Sequence, residues 1–472
     1  MLTYQDFLEV GDDEEKRMAF IRKAIRQHKE STLYKVATQA ELYKKQQNPT
    51  IRAFQKMLYT VAGNAIVDQW SPNFKMATGK YKRFITQEVQ YLLGNGASFV
   101  NEKTSDKLGT KRKNFDRALQ KVAENAINHG VAYGFWNLDH VDVFSVLEYF
   151  PFLDEENGAA MAGIRFWQIA DSNRRKPLRA TLYELDGYTE YIWRNGTGSV
   201  LNEKRPYVLK YRESPADGRE IYDGENYPSF PIVPMWGNPE HQSKLIGLQE
   251  QIDCYDLIKS GYANTVDEAS IIYWTIKNAG GMDDVDLAQF VERIRTVHAA
   301  TVDDGAEAQP NAINYDGNTR ERLLDRLERD MYRDARAVDV ERMASGAVTA
   351  TQIEAAYNDI DGLCDEFEYC VLDFIYGIMD LAGVDDEVSF TRSKILNTSE
   401  FISNLIQSGD YLPKDYVTRK ILTLLGDGDK ADDLIKEMTS EEMNAANAGP
   451  NENENENEDK EAETEAEENV NE

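Results

Sequence analysis

Along the first 45 positions the apolar residues recur at helical spacing. In "EEKRMAFIRKAIRQHKESTLYKVATQAELYKKQ", Phe20, Ile21, Ile25, Tyr34, Ala37 and Leu42 fall on helical faces with charges between them, which predicts helices over residues 5–45. Pro49 in "QQNPT" disfavours helix at Asn48 and breaks the run. Further helices are predicted from Ile51 to Val67, over "KYKRFITQEVQYLL", and over "DRALQKVAENAINHG" with Gly130 as its cap. Gly94-Asn95-Gly96 has no preceding strand and no following Lys-Ser/Thr, so it reads as a helix end and turn rather than a phosphate loop.

From Val131 to about Tyr227 the period shortens to that of strands. "VFSVLEYFPFL", "AGIRFWQIA", "RATLYELDGYTEYIWRNGTG" and "PYVLKYRE" are rich in β-branched and aromatic residues, with Asp186-Gly187 and Asn195-Gly196 as hairpin turns. "TEYIWR" alternates as a half-solvated antiparallel strand should. A strand-rich module is therefore expected between helical parts.

Long helices follow. After "FPIVPMWGNPE", an apolar series runs through Leu245, Leu248, Ile252, Tyr255, Ile258, Tyr262, Val266 and Ala269, a narrow seam suited to packing on another helix. "IIYWTIKNAGG" reads as a strand, Val285 to His298 as a short helix, and "ATVDDGAEAQPNAINYDG" as strand and loop. A second seamed helix starts near Asn318, with Asp325–Arg329 and Arg326–Asp330 as supporting i,i+4 pairs. Gly346 punctuates "DVERMASGAV", and Thr349 is placed as the cap of the longest helix, which ends at Gly383. Two small helices, "TSEFISNLIQSG" and "PKDYVTRKILTLLG", close the ordered part. The tail "NENENENEDKEAETEAEENVNE" is too polar to offset its ordering entropy and is expected to be disordered.

Charge narrows the function. The net charge is −30, and residues 451–472, with 11 acidic residues and one Lys, account for only part of it, leaving −20 on the remainder. Such a body cannot grip DNA broadly, so any contact with nucleic acid should be brief or confined to a few basic residues. No apolar run approaches the ~18 residues of a membrane span, and the acidic N-terminus lacks a signal peptide's basic start, so a soluble cytosolic protein is expected. Cys254, Cys364 and Cys370 form no CxxC and read as buried small hydrophobes.

Catalytic signatures are missing. His28, His129, His140, His241 and His298 are scattered, and no Walker A loop, GxSxG or dinucleotide fingerprint is found. "GDGDKADD" departs from a calcium loop, with Met438 where a glutamate should stand. Asp283, Asp284 and Asp286 could hold Mg²⁺, but acids just before a helix more often cap it. Neither an enzyme activity, a cofactor nor a metal is expected.

The order of the parts nevertheless resembles that of tailed-bacteriophage portal proteins of long-tailed phages of Gram-positive hosts. "NPTI", "FKMATGKYKRFITQEVQYLLGNGASF", "FPIVPMWGNPEHQSKLIGLQEQIDCYDLIKSGYANTVDEA", "RLLDRLERDMYRDARAVD" and "ASGAV" carry the resemblance, which spans residues 48 to about 440. It implies a mixed α+β, predominantly α portal fold that forms a ring of twelve around a DNA channel at one capsid vertex. Residues 1–236 would be the wing, with its β-rich module at 131–227, and 237–269 would carry the first stem helix, from about 241. Residues 270–316 would be the clip, 317–337 the second stem helix, 338–347 the tunnel loop and 348–385 a long wing helix. Residues 386–446 would form the crown and 447–472 the acidic tail. The tunnel segment "DVERMASG" is shorter than the usual version.

In that frame Arg342, with Met343 and Ser345, is the candidate for touching DNA in passing; the other reading pairs Arg342 with Glu341 or Asp339 of a neighbour. Tyr255, Tyr262, Arg322, Arg326, Arg329 and Arg333 are candidates for channel lining and subunit contacts, and Trp274, Asp283 and Asp284 for contacts of the clip. The implied partners are copies of the chain, double-stranded DNA, the terminase large subunit, a head-completion or adaptor protein, and the major capsid and scaffolding proteins. No membrane is involved, and the location would be the virion, with the host cytoplasm during assembly. The competing expectations are another ring-forming capsid or adaptor scaffold that conducts no DNA, and an enzyme with an unrecognised metal site.

Overall fold

The computed structural model describes residues 2–59, 63–69, 71–101, 103–169, 176–214, 218–269, 273–277, 307–311, 317–341, 350–393 and 411–425, with short pieces within 285–292, 402–407 and 431–438. Two compact units are present, residues 1–345 with 356–393, and residues 346–355 with 394–472. The described residues mix helix and sheet, with more of the former.

Three helices open the first unit: α1 (Tyr4–Glu9), α2 (Glu14–Glu30) and α3 (Thr32–Lys44). Each starts on a side chain that accepts from otherwise unpaired backbone N–H groups, namely Thr3, Asp13 and Ser31. Pro49 does break the run as expected, and it is the first residue of α4 (Pro49–Ala53), capped by Asn48. The helix expected from Ile51 to Val67 is not there beyond Ala53. Instead β1 (Met57–Tyr59) pairs antiparallel with β2 (Ala65–Val67). Phe54 has already turned to an extended conformation, and Gly63 at φ +81° supplies a left-handed position between the strands that a helix could not use.

Helix α5 (Lys80–Leu93), the short α6 (Thr104–Leu108) and α7 (Phe115–His129) follow. α7 ends at Gly130 with φ +93°, the cap read from the sequence. Between α5 and α6, β3 (Ala97–Phe99) pairs with the distant β16 (Val388–Phe390).

The strand-rich module is present. β4 (Val131–Asn137), β5 (His140–Ser145) and β13 (Ile232–Trp236) make one antiparallel sheet in the order β13-β4-β5. β6 (Tyr149–Leu153), β7 (Ala160–Gln168), β8 (Leu178–Glu184), β9 (Gly187–Arg194) and β10 (Thr197–Arg205) form a five-stranded meander. β11 (Val208–Ser214) and β12 (Gly218–Glu225) pair as a separate hairpin.

Alternation along the meander gives it two buried faces. Phe150, Phe152, Ile164, Phe166, Leu182 and Trp193 pack with Phe20, Ile21 and Ile25 of α2, while Tyr149 and Tyr183 join Tyr133, Phe144 and Tyr207 in a second, aromatic core. "TEYIWR" keeps its alternation in part: Thr189, Tyr191 and Trp193 are buried, and on the other side Glu190 is half-buried and Arg194 exposed, with Ile192 buried as the one departure. The Asn195-Gly196 turn lies between the paired Arg194 and Thr197 as read. The earlier hairpin is offset by one residue, its turn being Leu185-Asp186, because Gly187 already pairs with Glu184. A Cβ on Gly187 would sit 2.3 Å from the Arg205 carbonyl oxygen, so the glycine serves close strand approach.

Beyond the sheets come α8 (Gln249–Ala269), the paired β14 (Tyr273–Lys277) and β15 (Glu307–Asn311), and α9 (Gly317–Asp334). Next are α10 (Ala350–Ala382), 33 residues and about 50 Å at ~1.5 Å per residue, and α11 (Lys414–Leu425). α8 starts at Gln249 rather than in the 241–245 region expected from its apolar series. The preceding chain is bound to the end of α7: the Gly237 N–H donates to Gly130 O, the Lys244 N–H to Ile127 O and the Ser243 hydroxyl to Asn128 O, at 3.0, 3.1 and 2.6 Å. Those bonds satisfy α7's last carbonyls and hold residues 237–244 out of a helix.

Cys364 is buried and Cys370 half-buried, but Cys254 is exposed on the outer side of α8, contrary to expectation. His28 is buried in the first core, where its Nε2 donates to Val146 O at 2.7 Å and its ring stacks on Phe150. Most of the expected helix at 285–298, most of "TSEFISNLIQSG" and "GDGDKADD", and the acidic tail lie outside the described residues.

The long helix α10 seats against the three-stranded sheet because two glycines make room. A Cβ on Gly134 of β4 would lie 2.5 Å from Cζ of Phe374, itself fully buried, and one on Gly377 would lie 2.8 Å from Val233 of β13. Gly134→Val should therefore destabilise the protein by about 1–3 kcal/mol through overpacking, read as a lower urea midpoint with an unchanged slope.

Candidate stem helices and channel surface

Helices α8 and α9 leave and return on either side of the β14–β15 pair, and their side chains pair in antiparallel register. Gln251 Nε2 donates to Asp334, the Tyr262 hydroxyl donates to Glu321 at 3.1 Å, and Arg320 donates to Thr265 Oγ1 at 3.0 Å. Lys80 of α5 reaches between them. Its ammonium pairs with Glu328 and lies 5.1 and 5.7 Å from the ring centres of Tyr255 and Tyr332. Phe84 meets the Tyr332 ring edge-on at 5.2 Å, closing an aromatic and cationic knot at the base of the pair.

Along one face, what attaches α8 to the rest of the unit is polar. Asp256, Ser260 and Asn264 recur every four residues, so they line one face of the helix, and all three are buried. The segment 72–78, neither helix nor strand, runs antiparallel along them. The Thr78 N–H donates to Asp256 Oδ1 at 2.9 Å, Met76 N–H to Ser260 Oγ at 2.9 Å and Phe74 N–H to Asn264 Oδ1 at 2.7 Å. The match is geometric: four helical residues rise ~6 Å, and two extended residues span ~6.6 Å. Every second N–H of this strap thus finds an acceptor on the helix.

Asn48 completes the attachment with all its amide capacity engaged. Its Oδ1 caps α4 by accepting from Thr50 and Ile51 N–H, while its Nδ2 donates to Asp253 and Asp256, both at 2.9 Å. Asp253 also accepts from the Tyr43 and Thr50 hydroxyls at 2.6 and 2.9 Å. Burial pushes the Asp256 carboxyl up to about 6, against the opposing effect of its bonds from Asn48 and Thr78.

The sequence-derived candidates distribute as follows. Tyr255 is buried within this chain beneath Lys80, whereas Tyr262 is half-buried against α9. Arg322, Arg326, Arg329 and Arg333 form one exposed stripe on α9. Within it Arg329 pairs with Asp325, and Arg326 and Arg333 lie 3.8 and 3.6 Å from Asp330. Trp274 is on β14, paired with Pro310. Asp283, Asp284, Arg342, Met343 and Ser345 lie outside the described residues. The polar ladder on α8 went unread although "D…S…N" at spacing four was visible inside the apolar series; its partner strap, some 180 residues away, was not.

Among the described residues no helix is long and apolar enough to cross a membrane, and no group of three acidic, His or Cys side chains could hold a metal ion. The chain belongs to the phage portal protein family described as SPP1 Gp6-like, which matches residues 25–445. The portal protein of Bacillus phage SPP1 is 24% identical over 396 residues, covering 75% of this chain and 73% of that protein. The portal protein of Clostridium phage phiCD119 is 23% identical over 348 residues, covering 68% and 73%. Among solved structures, the neck of an empty gene-transfer-agent particle computed with C6 symmetry aligns at 11% identity and a TM-score of 0.42, over 74% of this chain and 90% of that one. The family resemblance read from the motifs is borne out: this is a portal protein.

Asp256 gives the attachment a pH signature. Its native value near 6 exceeds the ordinary 3.8, so between those pH values the folded protein holds a proton that the unfolded chain releases, and stability falls as pH rises through that window. Urea unfolding should show wild type gaining least over Asp256→Asn near pH 7 and most near pH 4; a pH-independent difference would contradict the raised carboxyl.

Proposed function

We propose that twelve copies of this chain close into a ring at one capsid vertex. Double-stranded DNA is packaged and ejected through the central channel, and the outer end docks the terminase and the head-tail connector proteins. The family assignment is one support. The observation that carries the ring itself is a run of exposed apolar side chains along the α8–strap–α9 assembly. Phe74 and Met76 of the strap, Leu257 and Val266 of α8, Leu323 of α9 and, at the end of α4, Phe54 are each 40–51% exposed, a concentration that monomeric proteins avoid. A neighbouring copy would cover it, and a contact of this head-to-tail kind must close on itself.

The same reading gives each part a task. The stripe of arginines and aspartates on α9 supplies contacts between neighbouring stems and channel lining. β14 and β15, inside the 270–316 segment, belong to the clip, where Trp274, Asp283 and Asp284 meet the motor or the adaptor. Arg342, Met343 and Ser345 brush DNA from the tunnel loop. An acidic conduit suits this task, since strong pairing with phosphates would hold DNA rather than let it slide. Packaging energy comes from the docked motor, and the chain itself acts as a structural component of the virion.

Native mass spectrometry with negative-stain imaging tests the ring: twelve-subunit particles with a central hole are expected, and a persistent hole-free monomer would sink the proposal. Deleting residues 270–316 should abolish motor docking while rings persist; intact docking would remove the clip assignment. For Arg342, comparing Arg342→Ala with Arg342→Glu in packaging assays separates the readings, and normal packaging by both would eliminate any role for its charge.

A further inference from the structure

Residues 103–121 hold seven basic residues and two acidic ones in a chain of net charge −30. The local fold gathers them. Lys103 and Lys107 stand at the start and end of α6, and Arg117 and Lys121 lie one turn apart on α7. Between the helices, the Thr110 N–H donates to Lys113 O at 2.9 Å and the Lys113 N–H to Thr110 Oγ1 at 3.1 Å, fixing a turn with Lys111 and Arg112 at its tip. Gly109 lets the two helices close up, since a Cβ there would meet the Phe115 backbone nitrogen at 2.7 Å.

All seven basic residues are exposed. Lys113 is held by Asp142 at 2.9 Å, and none of the other six has an ion pair among the described residues. Asp116 is engaged elsewhere, accepting from the Ala97 N–H at 3.0 Å. The apolar residues of the same stretch, Leu108, Phe115 and Leu119, are at most 1% exposed, so the stretch itself offers charge and no apolar anchor, and the exposed Val100 and Leu138 beside it are single side chains rather than a patch.

That composition discriminates between partners. A protein interface needs a desolvated apolar or aromatic centre, whereas a nucleic-acid backbone is bound by cations alone through release of its counterions. Asp386 adjoins the patch at the start of α6, accepting from the Thr104 hydroxyl at 2.6 Å, and Asp142 holds Lys113; acids further off do not cancel it, because fields decay over ~10 Å at 0.1 M salt. We propose that residues 103–121 form a binding surface for the phosphate backbone of double-stranded DNA, separate from the stem and tunnel segments. Naming DNA as the polyanion rests on the portal reading; the cationic surface itself does not.

The test is fluorescence anisotropy of a labelled duplex of about 30 base pairs with the full chain across a salt series. Six free cations predict a slope of log K against log salt of about −5. Lys111→Glu/Arg112→Glu and, independently, Arg117→Glu/Lys121→Glu should each weaken binding at least about tenfold and flatten the slope by about 2. No binding by wild type at low salt, or unchanged binding by both variants, overturns the proposal. So does an equal loss on reversing Arg22 and Lys23 of α2, which would mean that any basic pair suffices. Displacement by polyglutamate as effective as by unlabelled duplex would assign the surface to an acidic polypeptide instead. Native mass measured on the same samples separates the two proposals, since absence of rings with duplex binding intact would sink the portal architecture alone.

Discussion

The backbone of the strap at residues 72–78 joins no helix or sheet, and its inward N–H groups need acceptors. An unpaired buried N–H costs ~1–3 kcal/mol, so the three acceptors on α8 are a constraint on the fold as much as a bond set. They fix which face of α8 turns inward, how far along the helix the strap lies, and in which direction it runs. Asn48 adds a fourth point, joining the cap of α4 to Asp253 and Asp256 of the same helix.

Because polar groups hold α8 in place, apolar residues remain on its other sides. Ile252 and Tyr255 are buried in its first turns, as are Leu245 and Leu248 just before it, but Leu257 and Val266 are left in the open further along. A helix anchored through hydrogen bonds on one face and apolar on another is suited to meeting a second copy, the contact on which the proposed ring rests. The pairing with α9 repeats the design, with specific polar contacts toward α8 and the arginine stripe outward.

Elsewhere the first unit is secured by distant parts of the chain meeting. Arg392 donates to Asp361, Asp365 and Glu368 of α10, while the Tyr91 hydroxyl from α5 donates to the same Asp361 at 2.6 Å. With Phe374 against Gly134, these contacts bind α10 to both the helical and the sheet parts. Charge is thus used in two ways: acids and bases close over one another around α10, whereas six of the seven basic residues at 103–121 face solvent without an ion pair among the described residues.

Local sequence was sufficient wherever the signal was itself local. Helical periodicity gave α2, α3, α5 and α7, Gly130 gave the end of α7, and Asn195-Gly196 gave its hairpin, because capping and turn chemistry act within a few residues. The ordered motifs were enough to carry the family. It failed where a distant partner decided: the end of α7 captured residues 237–244, the sheet buried Ile192 on the side of "TEYIWR" expected to meet water, and the pairing of β1 with β2 replaced a helix. The ladder of Asp256, Ser260 and Asn264 shows the division most plainly. Its spacing is written in the chain, but whether such polar residues face water or a backbone is settled only when residues 72–78 are folded against them, since desolvation and hydrogen-bond satisfaction depend on what lies opposite.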